Sequence, residues 1–188
     1  MNLPLFPLPI FLLPDGVTRL RIFEQRYLKM VRIATKENGF AILLNDANAN
    51  LPEVRWASWV EIINFDQDED GTLIIDVKCK SLLKVTKITV EKDQLRYGEV
   101  TAIAHWPLSE HDHVTHDLSE SLAQVFKQSD DLRNLYQDKF TDQPNWVIAR
   151  WLELLPVELN IKDIFIDSNS LEQAKQLIHT IIHAEQHH

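Results

Sequence analysis

Cysteine and glycine are scarce in this chain of 188 residues, and each scarcity excludes a class of protein. One cysteine, Cys79, cannot form an intramolecular disulfide, so nothing indicates an oxidising compartment. Four glycines, spread along the chain, cannot build a glycine-rich phosphate-binding loop. An apolar fraction of 45% with so little glycine also argues against a disordered or low-complexity chain. We therefore expect a folded protein in which Cys79 is a small core residue.

Basic residues are few relative to acidic ones. The chain has 19 lysines and arginines against 28 aspartates and glutamates, which gives a formal net charge of −9. Proteins that bind nucleic acids neutralise phosphates with clustered lysines and arginines. No local basic stripe stands out in this sequence. Nucleic acid is therefore excluded as an expected partner.

Long hydrophobic runs are missing as well. The apolar stretch at the start of the chain covers about a dozen residues, whereas a membrane-spanning helix needs about 20. No basic residue precedes Arg19, and four prolines interrupt the helical region that a signal peptide requires. We expect no membrane attachment and a cytoplasmic location.

The same opening stretch carries the strongest local pattern. Its prolines remove backbone donors and fix φ, which predicts an extended segment at the edge of a sheet. The triplet 14–16 (Pro-Asp-Gly) is typical of a turn. From Phe23 onward the apolar spacing becomes helical, and Asn38 with Gly39 is a stop signal. The predicted helix buries one face, formed by Phe23, Tyr27, Met30, Val31 and Ala34.

Two phrases in this stretch carry a family resemblance. Residues 3–8 read L-P-L-F-P-L, and residues 20–27 read L-R-I-F-E-Q-R-Y. Together they resemble the opening of the N-terminal domain of the Lon protease family, the Lon substrate-binding domain. Gln25 stands where that family usually has proline. The resemblance implies an α+β fold: a small PUA-like β-barrel with an inserted helix, followed by a C-terminal helical bundle.

The rest of the chain agrees with this order of elements. Strand patterns cover 40–44, 54–65, 73–79, 82–90 and 95–104, with a polar loop at 45–52, a hairpin turn at 66–71 and a bulge at Gly98. From residue 116 the spacing is helical, Pro144 begins one helix, and Ser170 with Gln173 predicts a capping box for the last. Strands followed by helices indicate an α+β protein. We divide it into a PUA-like β domain, 1–115, and a helical domain, 116–188.

Two patterns could bind metal. Asp66, Asp68, Asp70 and Gly71 match the first half of a calcium loop, but the twelfth position holds Val77 instead of glutamate. The flanking residues alternate as strands do, which favours a solvated hairpin tip.

Histidines form the second pattern. Three of them, His111, His113 and His116, lie in an expected flexible linker. The pair His179 and His183 lacks the glutamate of the zinc motif H-E-x-x-H. We expect neither a metal nor a cofactor.

Catalytic motifs are also missing. The sequence contains no G-x-x-x-x-G-K-[ST], no G-x-S-x-G and no serine–lysine pair in a recognisable setting. In the Lon family, nucleotide hydrolysis and peptide cleavage belong to other domains. The resemblance therefore implies a stand-alone, non-catalytic module that binds unfolded or damaged polypeptides in protein quality control, with a protease or chaperone as a further partner.

Candidate binding residues follow from this expectation, since a surface for unfolded chains exposes apolar side chains. Trp59 is the first candidate because it shares a strand face with Arg55 and Glu61, although packing against the helical domain is the alternative. Phe6, Ile10 and Phe11 in the apolar opening are the second group. One alternative function is a regulatory or adaptor protein that binds one folded partner or itself. RNA is another, because PUA-like folds often bind it, but the net charge argues against this.

Overall fold

A computed structural model describes residues 1–45 and 55–187 of the chain. The chain divides into two compact units, Met1–Ala104 and His105–His188. Among the described residues, the first unit holds six strands and one helix, and the second holds five helices and a 3₁₀ turn. The boundary predicted at residue 115 lies within the second unit. The predicted polar loop at 45–52 falls, except for Asn45, outside the described residues.

The element bounds are as follows. The strands are β1 (Asn2–Leu8), β2 (Val17–Ile22), β3 (Phe40–Leu44), β4 (Trp56–Gln67), β5 (Leu73–Val90) and β6 (Arg96–Ile103). The helices are α1 (Gln25–Ala34), α2 (His113–Gln128), α3 (Asp130–Leu135), α4 (Pro144–Leu154), α5 (Leu159–Lys162) and α6 (Leu171–Glu185), and the 3₁₀ turn is Asp163–Ile166. The predicted α+β class is confirmed. The predicted strand 40–44 matches β3 residue for residue.

The six strands form one sheet in the order β2-β5-β4-β3-β1-β6, and β5 also pairs with β6. The pairings therefore run from β5 through β4, β3, β1 and β6 and return to β5. The β1–β3 pairing is parallel, and the others are antiparallel. One buried cluster contains small and branched apolar residues from these five strands: Leu3, Leu5, Ala41, Leu43, Ala57, Leu83, Val85 and Val100.

The expected edge position of the opening segment is wrong. β1 lies between β6 and β3, and it changes partner at Leu5: residues 2–5 pair with β6, and residues 5–8 pair with β3. Pro4 lies in the part paired with β6, and Pro7 lies in the part paired with β3. Each proline is therefore ladder-paired to one neighbouring strand. Around each proline, β1 therefore resembles an edge strand, although the strand as a whole lies inside the sheet.

Two features of the long strands also differ from expectation. The segments predicted as 73–79 and 82–90 form one continuous strand, β5. The bulge predicted at Gly98 is wrong, because the β5–β6 register shifts instead between Val85 and Lys87. A Cβ atom at Gly98 would lie 3.1 Å from side-chain atoms of Leu5 and Val85. The glycine makes room for core packing.

An ion pair between β2 and β5 joins an exposed arginine to a buried carboxylate. The Arg19 guanidinium donates to both oxygens of Asp76, at 2.8 and 3.1 Å. Asp76 is 5% exposed and also accepts a hydrogen bond from Asn64. The Arg19 hydrogen bond lowers the pKa of the Asp76 carboxyl. Both oxygens of this buried charge are thus satisfied, as its burial requires.

Helix α1 begins two residues later than predicted. Glu24 is its N-cap, and Phe23 lies outside the helix and is 71% exposed, so the expected burial of Phe23 is wrong. The other four residues of the predicted face are buried: Tyr27, Met30, Val31 and Ala34. The helix ends at Ala34, before the stop predicted at Asn38 and Gly39; Gly39, with a positive φ of 76°, follows the turn at 35–38.

In the second unit, Ser170 is the N-cap residue of α6, but the capping box predicted there is wrong. Ser170 makes no side-chain cap; its Oγ donates to the Asp167 carbonyl and accepts from Trp106 Nε1. A capping box is found instead at α2, between Asp112 and Thr115. The expected flexible linker is therefore wrong, since His113 and His116 belong to α2.

Aromatic residues form part of the core of the second unit. Trp146 packs near Phe126 and Tyr136, with ring centroids 5.9 Å away in both cases. Pro144 begins α4, as predicted. No helix within residues 1–45 and 55–187 has the length and apolar character needed to cross a membrane.

Candidate functional site

A cavity of about 350 Å³ opens in the first unit. The ends of β1 and β2, the start of α1 and the start of β6 all contribute to it. Its lining combines apolar side chains with three arginines: Phe6, Pro7, Leu8, Arg21, Ile22, Phe23, Glu24, Arg26, Tyr27, Asn45 and Arg96. Most of these residues come from the two phrases that stand out in the sequence. The local pattern and the concave site therefore coincide.

Stacked aromatic rings connect the two phrases at this cavity. The rings of Phe6 and Tyr27 lie with their centroids 4.1 Å apart and their planes at 18°. Both residues are buried, at 7% and 8% exposure. Burial raises the pKa of the Tyr27 hydroxyl. The stack is a fixed, apolar part of the lining.

Phe23 contributes the most exposed aromatic side chain to the lining. Strand β2 ends at Ile22, which is buried, and α1 is capped at Glu24. Phe23 lies between these elements, and 71% of it is exposed to solvent. Burial of such a ring by a partner is favourable, since roughly 25 cal/mol is gained per Å² of apolar surface removed from water. Phe23 is a candidate contact for an apolar ligand.

Two of the three arginines are engaged by carboxylates. Arg21 donates to Asp68 and, at 3.2 Å, to Asp70. Arg26 Nε donates to the Glu24 carboxylate at 2.9 Å, and its guanidinium lies 4.7 Å from the Tyr27 ring centroid. These contacts hold both guanidinium groups in place.

Arg96 differs from the other two arginines. It is exposed at the start of β6, and it forms no ion pair within the described part of the chain. Strand pairing sets its position, because it is opposite Leu5 of β1 and Val90 of β5. Its positive charge is available to a ligand in the cavity.

The aspartate motif at the β4–β5 turn meets Arg21. Asp68 and Asp70 both accept hydrogen bonds from that side chain, and Asp70 also accepts from the Thr72 amide at 2.9 Å. The hydrogen bonds from Thr72 are the main reason why the pKa of Asp70 is lowered. Two of the three aspartates thus face a guanidinium. In the described ranges, no three His, Cys, Asp or Glu residues are grouped as metal ligands.

The histidine pair lines a separate cavity within the second unit. This cavity has a volume of about 210 Å³ and is also lined by Asp117 and Glu120. The rings of His179 and His183 have centroids 4.1 Å apart, in an edge-on arrangement. Leu118 and Ile182 are also part of the lining, which therefore mixes polar and apolar side chains.

The four residues predicted to bind polypeptides do not lie together. Phe6 lines the 350 Å³ cavity. Phe11 is 5% exposed and packs edge-on against Trp56, and Ile10 is half-buried. Trp59 is also half-buried and packs against the Leu3–Val100 cluster of the first unit.

Two contacts of Trp59 hold its indole in place. Its Nε1 donates to the Asn38 carbonyl at 2.6 Å, and Lys80 Nζ lies 4.0 Å from the ring centroid. Sequence reasoning missed Phe23 and Arg96 as site residues. The sequence does hold a local signal for Phe23, because this residue directly precedes the first acidic residue of the helical segment. For Arg96 the sequence holds no local signal, because its place depends on pairing with a distant strand.

Comparisons with known proteins show the family and the fold. Residues 2–184 match the family model of the ATP-dependent protease La (LON) substrate-binding domain. The fold is similar to that of a Lon N-terminal domain protein from Xanthomonas campestris, at 28% identity and a TM-score of 0.69, covering 92% of this chain and 96% of that one. It is also similar to the N-terminal domain of a Mycobacterium avium complex Lon protease, at 10% identity and a TM-score of 0.62, covering 95% and 96%. No curated protein matches the sequence.

Proposed function

The chain belongs to the Lon substrate-binding domain family, and from this premise we propose that it is a non-catalytic module that binds unfolded or damaged polypeptides in protein quality control. We place its polypeptide-binding site at the cavity where β1, β2 and α1 meet. A cytoplasmic location and a protease or chaperone as a further partner belong to the same proposal. We also propose that the closed circuit of five strands forms a small PUA-like barrel. The helices of the second unit form a helical bundle in the same proposal.

The exposure of Phe23 is the observation that carries the proposal. A phenylalanine that is 71% exposed stands beside a cavity whose lining includes Phe6, Leu8 and Tyr27. Exposed apolar surface next to a concave, partly apolar site is typical of interaction surfaces. Unfolded polypeptides present the apolar side chains that such a site can bury.

Phe6 and Phe23 are thus the aromatic contacts that we assign to the polypeptide. Phe6 supplies the buried ring, and Phe23 supplies the accessible one. The binding roles of Trp59, Ile10 and Phe11 stay predictions. Trp59 would have to act from its half-buried position, where Asn38 and Lys80 hold its indole.

Site-specific photocrosslinking tests the proposal. A photoreactive phenylalanine analogue at position 23 is expected to crosslink a chemically unfolded model protein. The same analogue at Ile164, an apolar residue of the second unit that is 60% exposed, serves as the matched control. Phe23→Ser is expected to lower capture of the unfolded protein severalfold, whereas Ile164→Ser leaves it unchanged.

Capture no greater than that of an inert acidic protein would refute polypeptide binding. Equal crosslinking from positions 23 and 164 would refute the placement of the site. Co-purification of one stoichiometric folded partner, without capture of unfolded chains, would support the adaptor alternative instead.

A further inference from the structure

We propose that the cavity recognises the C-terminal end of a polypeptide, with Arg96 binding the α-carboxylate and Phe23 contacting the apolar side chain of the last residue. This inference rests on the proposed function, which it narrows to one class of polypeptide ligand. The inference is based on Arg96, which has no ion pair with any described residue and lies in a concave, partly apolar lining.

The arginines of the lining differ in their partners. Arg21 is held by Asp68 and Asp70, and Arg26 is held by Glu24. Arg96 has no carboxylate partner among the described residues, although the chain as a whole has an excess of acidic residues. Guanidinium groups bind carboxylates in a bidentate, charge-assisted geometry. A ligand carboxylate would give Arg96 the partner that residues 1–45 and 55–187 do not supply.

The surroundings of Arg96 also favour an anion. Helix α1 begins in the same lining, and the positive end of its macrodipole favours negative charge nearby. Glu24 is the N-cap, yet its side chain makes no cap hydrogen bond and is instead bonded to Arg26. The carboxylate that the described residues contribute to the lining is therefore already paired.

The size of the cavity favours a chain end over a passing segment. About 350 Å³ lies near the lower limit for ligand cavities, which run from about 300 to 1,000 Å³. A C-terminal residue carries its carboxylate and its side chain on one Cα, so both fit into one small site. An internal segment would need an exit on either side. The charge of Arg96 and the ring of Phe23 together match a terminal apolar residue.

Peptide titrations followed by NMR test this inference on the full chain. The first probe is an N-acetylated hexapeptide with a terminal leucine and a free carboxylate. The second has the same sequence with a C-terminal amide. The third is amidated and carries one internal aspartate. We expect the free acid to bind about tenfold more tightly than the other two, because only its terminal carboxylate can accept the charge-assisted hydrogen bonds of Arg96.

Two arginine variants test whether Arg96 causes the preference for the free acid. In Arg96→Gln, the free acid and the amide are expected to bind with equal affinity. Arg32→Gln makes the same charge change at an exposed position in the last turn of α1, outside the lining, and is expected to keep the tenfold preference. Phe23→Ala is expected to weaken all three peptides. Dispersed amide spectra verify that each variant is folded.

Several results would overturn the inference. They are equal binding of acid and amide by the native protein, equal binding of the internal-aspartate peptide, or a preference that survives in Arg96→Gln. If no peptide binds while position 23 still crosslinks unfolded protein, the C-terminal inference fails and the proposed function stands. If unfolded protein is not captured either, both fail.

Discussion

The ring of Phe6 is stacked on the ring of Tyr27, with 4.1 Å between their centroids. Strand β1 supplies the first ring and helix α1 the second, so this contact joins the two phrases that identify the family. Stacked aromatic pairs contribute about 0.5 to 1.5 kcal/mol beyond the burial of their area. The stack therefore both stabilises the docking of α1 and shapes the candidate site.

Truncation of this stack is the first prediction. Phe6→Ala is expected to lower the free energy of unfolding by about 3 to 5 kcal/mol, because a buried aromatic side chain is lost. Tyr27→Phe keeps the ring and is expected to change the free energy of unfolding by less than about 0.5 kcal/mol. Urea unfolding followed by circular dichroism measures both. A Phe6→Ala variant as stable as the native protein would show that the stack is not part of the packed core.

Two glycines with positive φ give the second prediction. Gly39 has φ +76°, and a Cβ atom there would lie 2.1 Å from the Val60 carbonyl oxygen. Gly71 has φ +83°, but its nearest contact would be the flexible Gln67 side chain at 3.7 Å. Gly71→Ala is expected to cost about 1 to 2 kcal/mol for the left-handed backbone. Gly39→Ala is expected to cost about 3 kcal/mol or more, because the clash with backbone adds to that strain.

Thermal and urea unfolding of the two alanine variants provide the comparison. Since both share the positive φ, the difference between them isolates the steric clash at Gly39. Equal destabilisation would mean that the β4 backbone moves aside without cost.

The capping aspartate of α2 predicts a dependence of stability on pH. Hydrogen bonding from Lys175, at 2.6 Å, is the main cause that lowers the pKa of the Asp112 carboxyl to about 2. The folded pKa lies below the unfolded one, so this stabilisation is complete above about pH 4 and is lost as the pH falls towards 2. Asp112→Asn removes the charge but keeps an oxygen for the Thr115 amide. The variant is expected to be less stable than the native protein at neutral pH and equally stable near pH 2.

Urea unfolding, monitored by the helical circular dichroism signal across this pH range, measures the difference. Asp112→Ala is the companion variant; it also loses the cap, which costs about 1 kcal/mol more. A constant difference between Asp112→Asn and the native protein at every pH would contradict the assigned charge effect.

Calcium is the fourth test. Because Arg21 engages Asp68 and Asp70, and because Val77 occupies the twelfth position of the loop, calcium is expected to leave the melting temperature unchanged. The measurement is a calcium titration of chelator-treated protein, with magnesium as the control. A melting temperature that rises with calcium alone would demonstrate specific binding to the folded state. In that case, the Arg21 contacts would have to be displaced.

Much of the fold follows from local signals in the sequence. A short, continuous apolar run predicted β3 in full, and the Asp-rich turn between β4 and β5 was predicted close to where it occurs. Pro144 marked the start of α4, and Gly39 marked the end of the turn that follows α1. These features depend on neighbouring residues, whose φ preferences and side-chain periodicity act over a few positions.

The predictions were wrong where the role of a residue depended on residues far away in the sequence. Prolines suggested an edge strand, yet β1 is internal because it changes partner at Leu5. Gly98 suggested a bulge, but its small size instead accommodates Leu5 and Val85. Ser170 resembled a capping residue, but Trp106 and Asp167 engage its hydroxyl. In each case, a residue far along the chain decided the outcome.

The sequence by itself determined the family, through two short phrases, and the α+β class, through strand patterns that precede helical ones. Only the tertiary structure decided that Phe6 is covered by Tyr27 while Phe23 is left exposed. Only strand pairing brought Arg96 to the same cavity without a carboxylate partner from the described chain. The physical reason is that burial and charge pairing depend on which distant strands meet, and no local pattern encodes that meeting.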